Sequence, residues 1–356
     1  MAAMDQAQEF RDAYARRQTV DERSGSIGGR VLDRRRWAPV AKELSEVSDW
    51  ESAKAIATQW IVIAAAIAAA VYAAHPLAYV LAIVVIATRQ HALGILMHDA
   101  SHYRLFTNRK WNDIITNWFV AFPMGSTADL YRRWHFPHHQ FVNTDRDPEV
   151  MGERADPELW QFPKPRSRVL QIALKDIAGL HIVRMMKVME VWSAVPRLFL
   201  KDDDPAALDR SEKHQFIAYN ALVVVALTAL GGWVHLLLFW FVPILTVFNI
   251  IFRYRSFAEH KVVPNANELS TSRTVLPTTF EKFLLAPLNV NYHLEHHLFP
   301  GVPFYNLAKL HRRLMEDPLY AEQACITKGY LDPKAGVLAE ITDMDQVRRL
   351  AFEPAH

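Results

Sequence analysis

Cysteine is almost absent from this chain: Cys325 is the only one among 356 residues. A single cysteine cannot form a disulfide within the chain, and it cannot supply the several thiolates that an iron–sulfur cluster requires. Any metal that the chain binds on its own must therefore be held by nitrogen or oxygen ligands.

A strong excess of charge is also missing. Lys and Arg number 40 against 38 Asp and Glu, which leaves a formal net charge of +2. This balance predicts no nucleic-acid partner, because proteins that bind phosphate backbones carry a large basic excess. The first residues lack the apolar stretch of a secretory signal peptide, so we expect the first apolar segment to direct membrane insertion.

Acidic and basic residues are nearly absent from four long segments. A run of nineteen residues in a helix is roughly 28 Å long, close to the thickness of the hydrocarbon core of a bilayer. A composition that is 51% hydrophobic would also allow a soluble protein that buries two apolar hairpins, but the segment lengths favour membrane spans. The predicted spans are 56–74, 76–97, 216–231 and 233–252.

Helix-breaking residues separate the members of each pair of spans, at His75-Pro76 and at Gly231-Gly232. Neither of these turns contains Lys or Arg, and the positive-inside rule therefore places both termini in the cytoplasm. We predict an all-α integral membrane protein with four transmembrane helices in two hairpins and a cytoplasmic helical cap. The predicted organisation is an N-terminal cytoplasmic arm (1–48), a membrane domain (49–315) and a cytoplasmic C-terminal tail (316–356).

Histidine is the residue that stands out. Chance would supply about 0.03 copies of the pattern H-x-x-H-H in a chain of this length and histidine content, and two copies are present. Residues at i, i+3 and i+4 share one face of a helix, so each cluster can direct its imidazoles to one point. The three clusters are His98 and His102; His135, His138 and His139; and His293, His296 and His297.

Neutral imidazole is a good ligand for iron, copper, nickel and zinc, and eight imidazoles exceed the number that one ion binds. Two ions are therefore expected, on the cytoplasmic side of the spans. His260 follows the fourth span about as His98 follows the second, which makes it a ninth candidate ligand. Six further histidines are predicted to have structural roles: His91, His181, His214, His235, His311 and His356.

Several local features carry further expectations. Pro137 predicts a helix that starts near Phe136, and Pro300-Gly301 predicts the end of the third cluster's helix. Residues 169–200 predict a helix in the membrane plane, although a core helix would look similar. Arg89 is expected to extend to the membrane surface. Carboxylates that could orient the ligands are Asp99, Asp145, Asp147, Glu259 and Glu295.

The motifs H-D-A-S-H, W-H-F-P-H-H and N-Y-H-L-E-H-H-L-F-P, with R-S-F-A-E-H before the last, resemble the histidine boxes of the membrane fatty acid desaturase superfamily. The resemblance extends from about residue 50 to 315. It implies a non-haem di-iron centre that uses O2 and two electrons to remove hydrogen from a fatty acyl chain or lipid. The implied iron ligands are His98, His102, His135, His138, His139, His260, His293, His296 and His297.

The sequence departs from two patterns within that superfamily. The third box begins with His293 and not with the Gln of front-end desaturases, and the His-Pro-Gly-Gly signature of a fused cytochrome b5 domain is missing. Electrons are therefore expected from a separate donor of the ferredoxin, rubredoxin or cytochrome b5 type, with its reductase.

The boxes leave other activities open. A hydroxylase, a ketolase or a fatty acid decarboxylase that forms 1-alkenes would share the scaffold. A more distant alternative is a histidine-rich metal transporter, but a transport path would place ionisable residues within the spans, and the clusters lie outside them.

Overall fold

The computed structural model describes residues 30–343, and these are largely helical. Two short strands, β1 (Thr274–Leu276) and β2 (Ile326–Lys328), pair in parallel. The helices, in chain order, are α1 (Arg34–Leu44), α2 (Asp49–Ala73), α3 (Pro76–Ser101), α4 (Arg109–Thr116), α5 (Ala128–Phe141), α6 (Pro148–Ala155), α7 (Pro157–Trp160), α8 (Arg166–Ile177), α9 (Ile182–Met189), α10 (Ala194–Arg197), α11 (Arg210–Leu230), α12 (Trp233–His260), α13 (Thr279–Leu284), α14 (His293–Leu298), α15 (Phe304–Leu314), α16 (Pro318–Gln323) and α17 (Val337–Thr342).

Helices α2, α3, α11 and α12 are long and apolar enough to cross a membrane, which confirms the predicted helical fold with four candidate spans. Each begins or ends where capping residues dictate, so the helices extend beyond most of the predicted limits. The Ser48 side chain accepts a hydrogen bond from the Glu51 N–H at the start of α2, and Asp209 caps α11 in the same way. Gly231 ends α11 in the left-handed conformation that favours glycine.

The four long helices differ in how much they bury. Helices α2 and α3 pack against each other through small and branched side chains, among them Ile63, Ala70, Ala82 and Ile86. Phe216 is the only fully buried residue of α11, whose apolar surface is otherwise open. An apolar helix with so little protein contact suits a hydrocarbon environment. The pairing of the helices as hairpins and their orientation in the membrane stay predictions.

Helix α12 is irregular where it passes the other long helices. Residues Leu237–Phe241 form a π-helical turn, Pro243 follows it, and Thr246 has φ −127° and ψ −89°. Such insertions change the direction of a helix. Beyond this bend the helix continues to His260, two turns past the predicted end of the fourth span.

The segments before α2 and after α15 pack on one another beside the third histidine cluster. Trp37 of α1 is buried, and its Nε1 donates to Asp317 Oδ2 at 3.1 Å. Tyr320 of α16 is fully buried in the same core. Residues 318–343, part of the predicted tail, thus contribute to the folded domain through α16, β2 and α17.

Two local predictions were wrong. Residues 169–200 do not form one helix: Gly179 adopts a positive φ of 72° and separates α8 from α9. Arg89 does not reach the surface, because Gln59 and the Phe283 carbonyl accept its hydrogen bonds at 3.1 and 3.3 Å inside the protein. The polar partners on neighbouring segments, which no local pattern reveals, explain this second error.

Replacing Trp37 with Ala is expected to cost about 3–5 kcal/mol of stability, because it removes a buried aromatic side chain and its hydrogen bond. The matched control is Trp50→Ala, since the Trp50 residue is 72% exposed and its loss should change stability by about 0.5 kcal/mol or less. Thermal unfolding in detergent, followed by circular dichroism, measures both. Equal melting temperatures for the two variants would contradict the packing of α1.

Candidate metal centre

The first cluster lies at the end of α3. His98 is in the last turn of the helix, and His102 is its C-cap residue, so the two rings lie on the same face with centroids 5.6 Å apart. This arrangement follows from a helix that simply continues past the apolar segment.

The second cluster is on α5, and the predicted start of that helix was wrong. The helix begins at Ala128, where the Thr127 side chain accepts the Leu130 N–H, and Pro137 lies inside it. A proline inside a helix removes one backbone hydrogen bond and is therefore disfavoured there, whereas a proline in the first turn is not. For this reason the sequence predicted a helix start near Phe136. The longer helix places His135 and His139 one turn apart, with His138 about 100° around from His139.

The third cluster is on α14, which ends at Leu298, before Pro300-Gly301 as predicted. His260 is the last residue of α12 and lies against this cluster, with its Nε2 atom 2.9 Å from His293 Nε2. The ninth histidine is thus beside the other eight in space, although it is 33 residues away from His293 in sequence.

The nine histidines form two groups, and within each group the available ligand atoms lie within 4.8 Å of one another. The groups cut across the sequence clusters, because His138 belongs with the distant His260 and not with its neighbour His139. One group is His98, His102, His135, His139 and His296, and the other is His138, His260, His293 and His297.

The spacing within each group fits a bound ion. His139 Nε2 lies 2.9 Å from His135 Nε2 and 3.0 Å from His296 Nε2. Two nitrogens at right angles around an ion, with bonds of about 2.1 Å, would be about 3.0 Å apart. The Nε2 atoms of His98, His102 and His138 are buried and have no hydrogen-bond partner. Such groups are costly to leave unpaired, and a metal would satisfy them.

Three of the five carboxylates named from the sequence contact these histidines. Asp147 lies 3.0 Å from His138 Nδ1, Asp99 lies 3.2 Å from His98 Nδ1, and Glu259 lies 3.3 Å from His293 Nδ1. A carboxylate on the second ring nitrogen fixes the tautomer and leaves Nε2 free for a metal. Asp145 instead pairs with Arg154 at the surface, and Glu295 accepts hydrogen bonds from Tyr320 and Thr274.

Electrostatics favour neutral rings at most of these positions. Burial and the nearby Arg104 lower the pKa of His102 to about 3, and burial likewise lowers the pKa values of His135, His293 and His296. A neutral imidazole is the form that binds a metal.

His138 is the exception among these rings. Burial alone would lower its pKa, but Glu149 and Asp147 outweigh burial and raise the pKa to about 9. A positive charge is therefore favoured at this position, and a cation bound at Nε2 would take the place of the proton.

The remaining histidines divide into two kinds. His181 pairs with Asp176 at 2.8 Å and His311 with Glu295 at 2.5 Å, which agrees with structural roles. His91 is buried, yet neither of its ring nitrogens has a hydrogen-bond partner. The sequence around His91, an apolar helix, did not indicate that its ring would lack a hydrogen-bond partner. His356 lies outside the described residues.

The fold and the histidine groups together indicate a membrane protein with a candidate metal site. Residues 74–329 match the fatty acid desaturase family, so the chain belongs to that family and is an oxidoreductase.

Relatives of known activity include bacterial, plant and human enzymes. The dihydrorhizobitoxine desaturase of Bradyrhizobium elkanii is 28% identical over 88% of this chain and 90% of its own length. The chloroplastic omega-6 fatty acid desaturase of Glycine max is 23% identical, over 78% and 66%. The human sphingolipid delta(4)-desaturase/C4-monooxygenase DES2 is 26% identical, over 61% and 59%. These enzymes act on different compounds, so similarity alone does not select a substrate.

Replacing Asp147 with Asn is expected to weaken metal binding by about 10–100-fold, because the carboxylate that orients His138 is lost. Asn can still cap α6, where Asp147 accepts the Glu149 N–H at 2.9 Å. Asp145→Asn is the matched control, since the Asp145 side chain is 77% exposed. Titration with a competing chelator measures the affinity. Equal affinities in the two variants would show that Asp147 does not support the site.

Proposed function

We propose that the protein is an O2-dependent di-iron oxidase that desaturates a fatty acyl chain or a related lipid. The observation that supports this most is the division of nine buried or half-buried histidines into two groups, each with the spacing of a metal-binding site. One histidine site would fit many metalloproteins, but two adjacent sites of this kind in a member of the fatty acid desaturase family favour a dinuclear centre.

The proposed ligands come entirely from histidine. His98, His102, His135, His139 and His296 would hold one ion, and His138, His260, His293 and His297 the other. Among residues 30–343, neither group includes a carboxylate or a thiolate. Desaturation removes two electrons from carbon, so the ions must be redox-active, which zinc is not. Iron is one of the redox-active metals that imidazole binds, and it is the one that the family resemblance implies.

The overall reaction requires a partner. Forming a double bond breaks two C–H bonds, and the two hydrogens, O2, two further electrons and two protons together give two molecules of water. The bound iron would supply the oxidising chemistry. The electrons would come from a separate ferredoxin, rubredoxin or cytochrome b5-type protein with its reductase.

The chain itself would position the substrate and exclude water. A cavity between α3, α5 and α12 lies beside the histidines, and its wall includes Met97, Met124, Trp192, Phe248 and Phe252. An apolar wall of this kind limits side reactions of an oxidant with water, and it fixes which carbon atoms approach the metal.

We further propose that the metal centre and both termini face the cytoplasm. In a bacterial host, green fluorescent protein fused after residue 356 should fluoresce, and alkaline phosphatase at the same place should be inactive. The same reporters inserted between Gly231 and Gly232 should give the opposite pattern. A periplasmic signal from the C-terminal fusion would overturn the orientation.

Purified protein should contain about two irons per chain, and His102→Ala and His138→Ala should each reduce this to about one, because each removes a ligand from a different group. Both variants should lose turnover while still inserting into the membrane. His214→Ala, at an exposed residue, is the control and should keep both irons. Elemental analysis of detergent-purified protein measures the metal.

Other metal contents would argue against the proposal. One zinc and no iron would exclude a di-iron oxidase, and loss of all metal in both variants would indicate a single shared ion. Lipids extracted from cells with and without the protein identify the product. A new double bond supports desaturation, whereas a hydroxyl, a ketone or a volatile alkene identifies one of the alternative reactions on the same scaffold.

A further inference from the structure

A small, partly open cavity lies next to the candidate metal centre, between α3, α5 and α12. Its volume is about 40 Å³, roughly the space of three water molecules. Tyr131 forms one wall of it, and the same ring contacts His98 and His135 at centroid distances of 6.4 and 5.5 Å. The cavity is lined by His91, Gly94, Ile95, Met97, Met124, Tyr131, Met189, Trp192, Phe248, Phe252 and Arg255.

Two polar residues in this apolar lining have unused hydrogen-bonding groups. His91 is 2% exposed, and neither of its ring nitrogens has a partner. Arg255 is also buried; its Nε donates to Glu259 Oε1 at 2.6 Å, and its two terminal nitrogens have no acceptor among the described residues. These terminal nitrogens are not among the fully buried atoms without a partner, and Arg255 lines the cavity, so they are accessible to a ligand bound there.

The chemistry of these groups selects the ligand. The terminal nitrogens of an arginine match the two oxygens of a carboxylate, with two parallel hydrogen bonds. The imidazole of His91 can donate one more hydrogen bond to such an oxygen. The available volume accommodates a carboxylate and the one or two carbon atoms next to it, but not a nucleotide or a phospholipid head group.

The charge around the cavity also favours an anion. Nine neutral imidazoles would leave the charge of two divalent ions to be balanced by the nearby carboxylates Asp99, Asp147, Glu149 and Glu259. The buried Arg255 guanidinium in the cavity wall adds a further positive charge. Bound ions are the largest charges in such a site, so a negative group nearby is stabilised. Arg255 is linked to the candidate metal centre through Glu259, which contacts both Arg255 and His293.

We propose that this cavity binds the carboxylate of the substrate, and that the enzyme therefore acts on free carboxylic acids close to their carboxyl end. The inference rests on the proposed function for the identity of the reaction, but the binding site itself does not depend on turnover. An ester or thioester lacks the second anionic oxygen and adds bulk at the closed end of the cavity, so acyl lipids are poor substrates.

Binding is tested with the purified enzyme under anaerobic conditions and without reductant, so that no turnover occurs. Decanoic acid, methyl decanoate and decanol serve as probes of equal chain length, and the fluorescence of Trp192 in the cavity wall reports occupancy. The acid should bind at least tenfold more tightly than the ester and the alcohol. Equal affinities for the three probes would overturn the proposal.

Two substitutions test the site from different directions. Arg255→Lys keeps the charge beside Glu259 but loses the fork, so the preference for the acid should fall at least tenfold with iron content unchanged. Gly94 lines the cavity, and Gly94→Ala adds a methyl group there that meets no atom within 4 Å. It should weaken acid binding without lowering the melting temperature.

Gly152→Ala is the matched control for the second substitution, because its added methyl group also meets nothing within 4 Å and Gly152 does not line the cavity. Unchanged acid binding in Gly94→Ala would overturn the proposal even if Arg255→Lys lost iron. The two proposals fail separately: Arg255-dependent acid binding by a protein that oxidises nothing would refute only the proposed function. An oxidised product whose new group lies far from the carboxyl would refute only this inference.

Discussion

The structure depends on one requirement, which is that nine imidazole rings lie together inside the protein. Buried ring nitrogens without partners cost free energy, and several of these Nε2 atoms have only one another or no hydrogen-bond partner among the described residues. A bound ion in each group would satisfy them together. The four segments that carry these rings, at the ends of α3, α12 and α14 and along α5, must therefore converge, and the apolar faces around them follow this convergence.

The parts of this arrangement that could be predicted are the local ones. Helix length and the absence of charge identify the four long helices, and the i, i+3, i+4 spacing identifies the histidines because it lies within single turns. His260 was identified from another local feature, its distance in sequence from the end of the fourth span. The assignment of rings to two groups could not be predicted, since adjacent His138 and His139 point about 100° apart and meet different helices.

The errors have a common physical origin in contacts between distant segments. Asp145 and Asp147 are equivalent in sequence, but only Asp147 is buried against His138, because it also caps α6 and accepts the Asn143 N–H at 2.8 Å. Pro137 lies within a helix because Thr127 begins that helix three turns earlier. In each case a tertiary or capping interaction outweighed the local preference.

Arg89, Gln90 and His91 are consecutive polar residues in an apolar helix, and they differ in how many of their polar atoms have partners inside the protein. Arg89 donates to Gln59, and Gln90 donates to the Trp240 carbonyl at 2.9 Å, although Gln90 Oε1 has no hydrogen-bond partner among the described residues. His91, two turns before His98 on the same face of α3, has none. Polar groups at membrane depth persist when they are paired or when they serve a ligand. Both ring nitrogens of His91 lack a partner among the described residues, and the cavity that His91 shares with Arg255 is where a ligand would supply one.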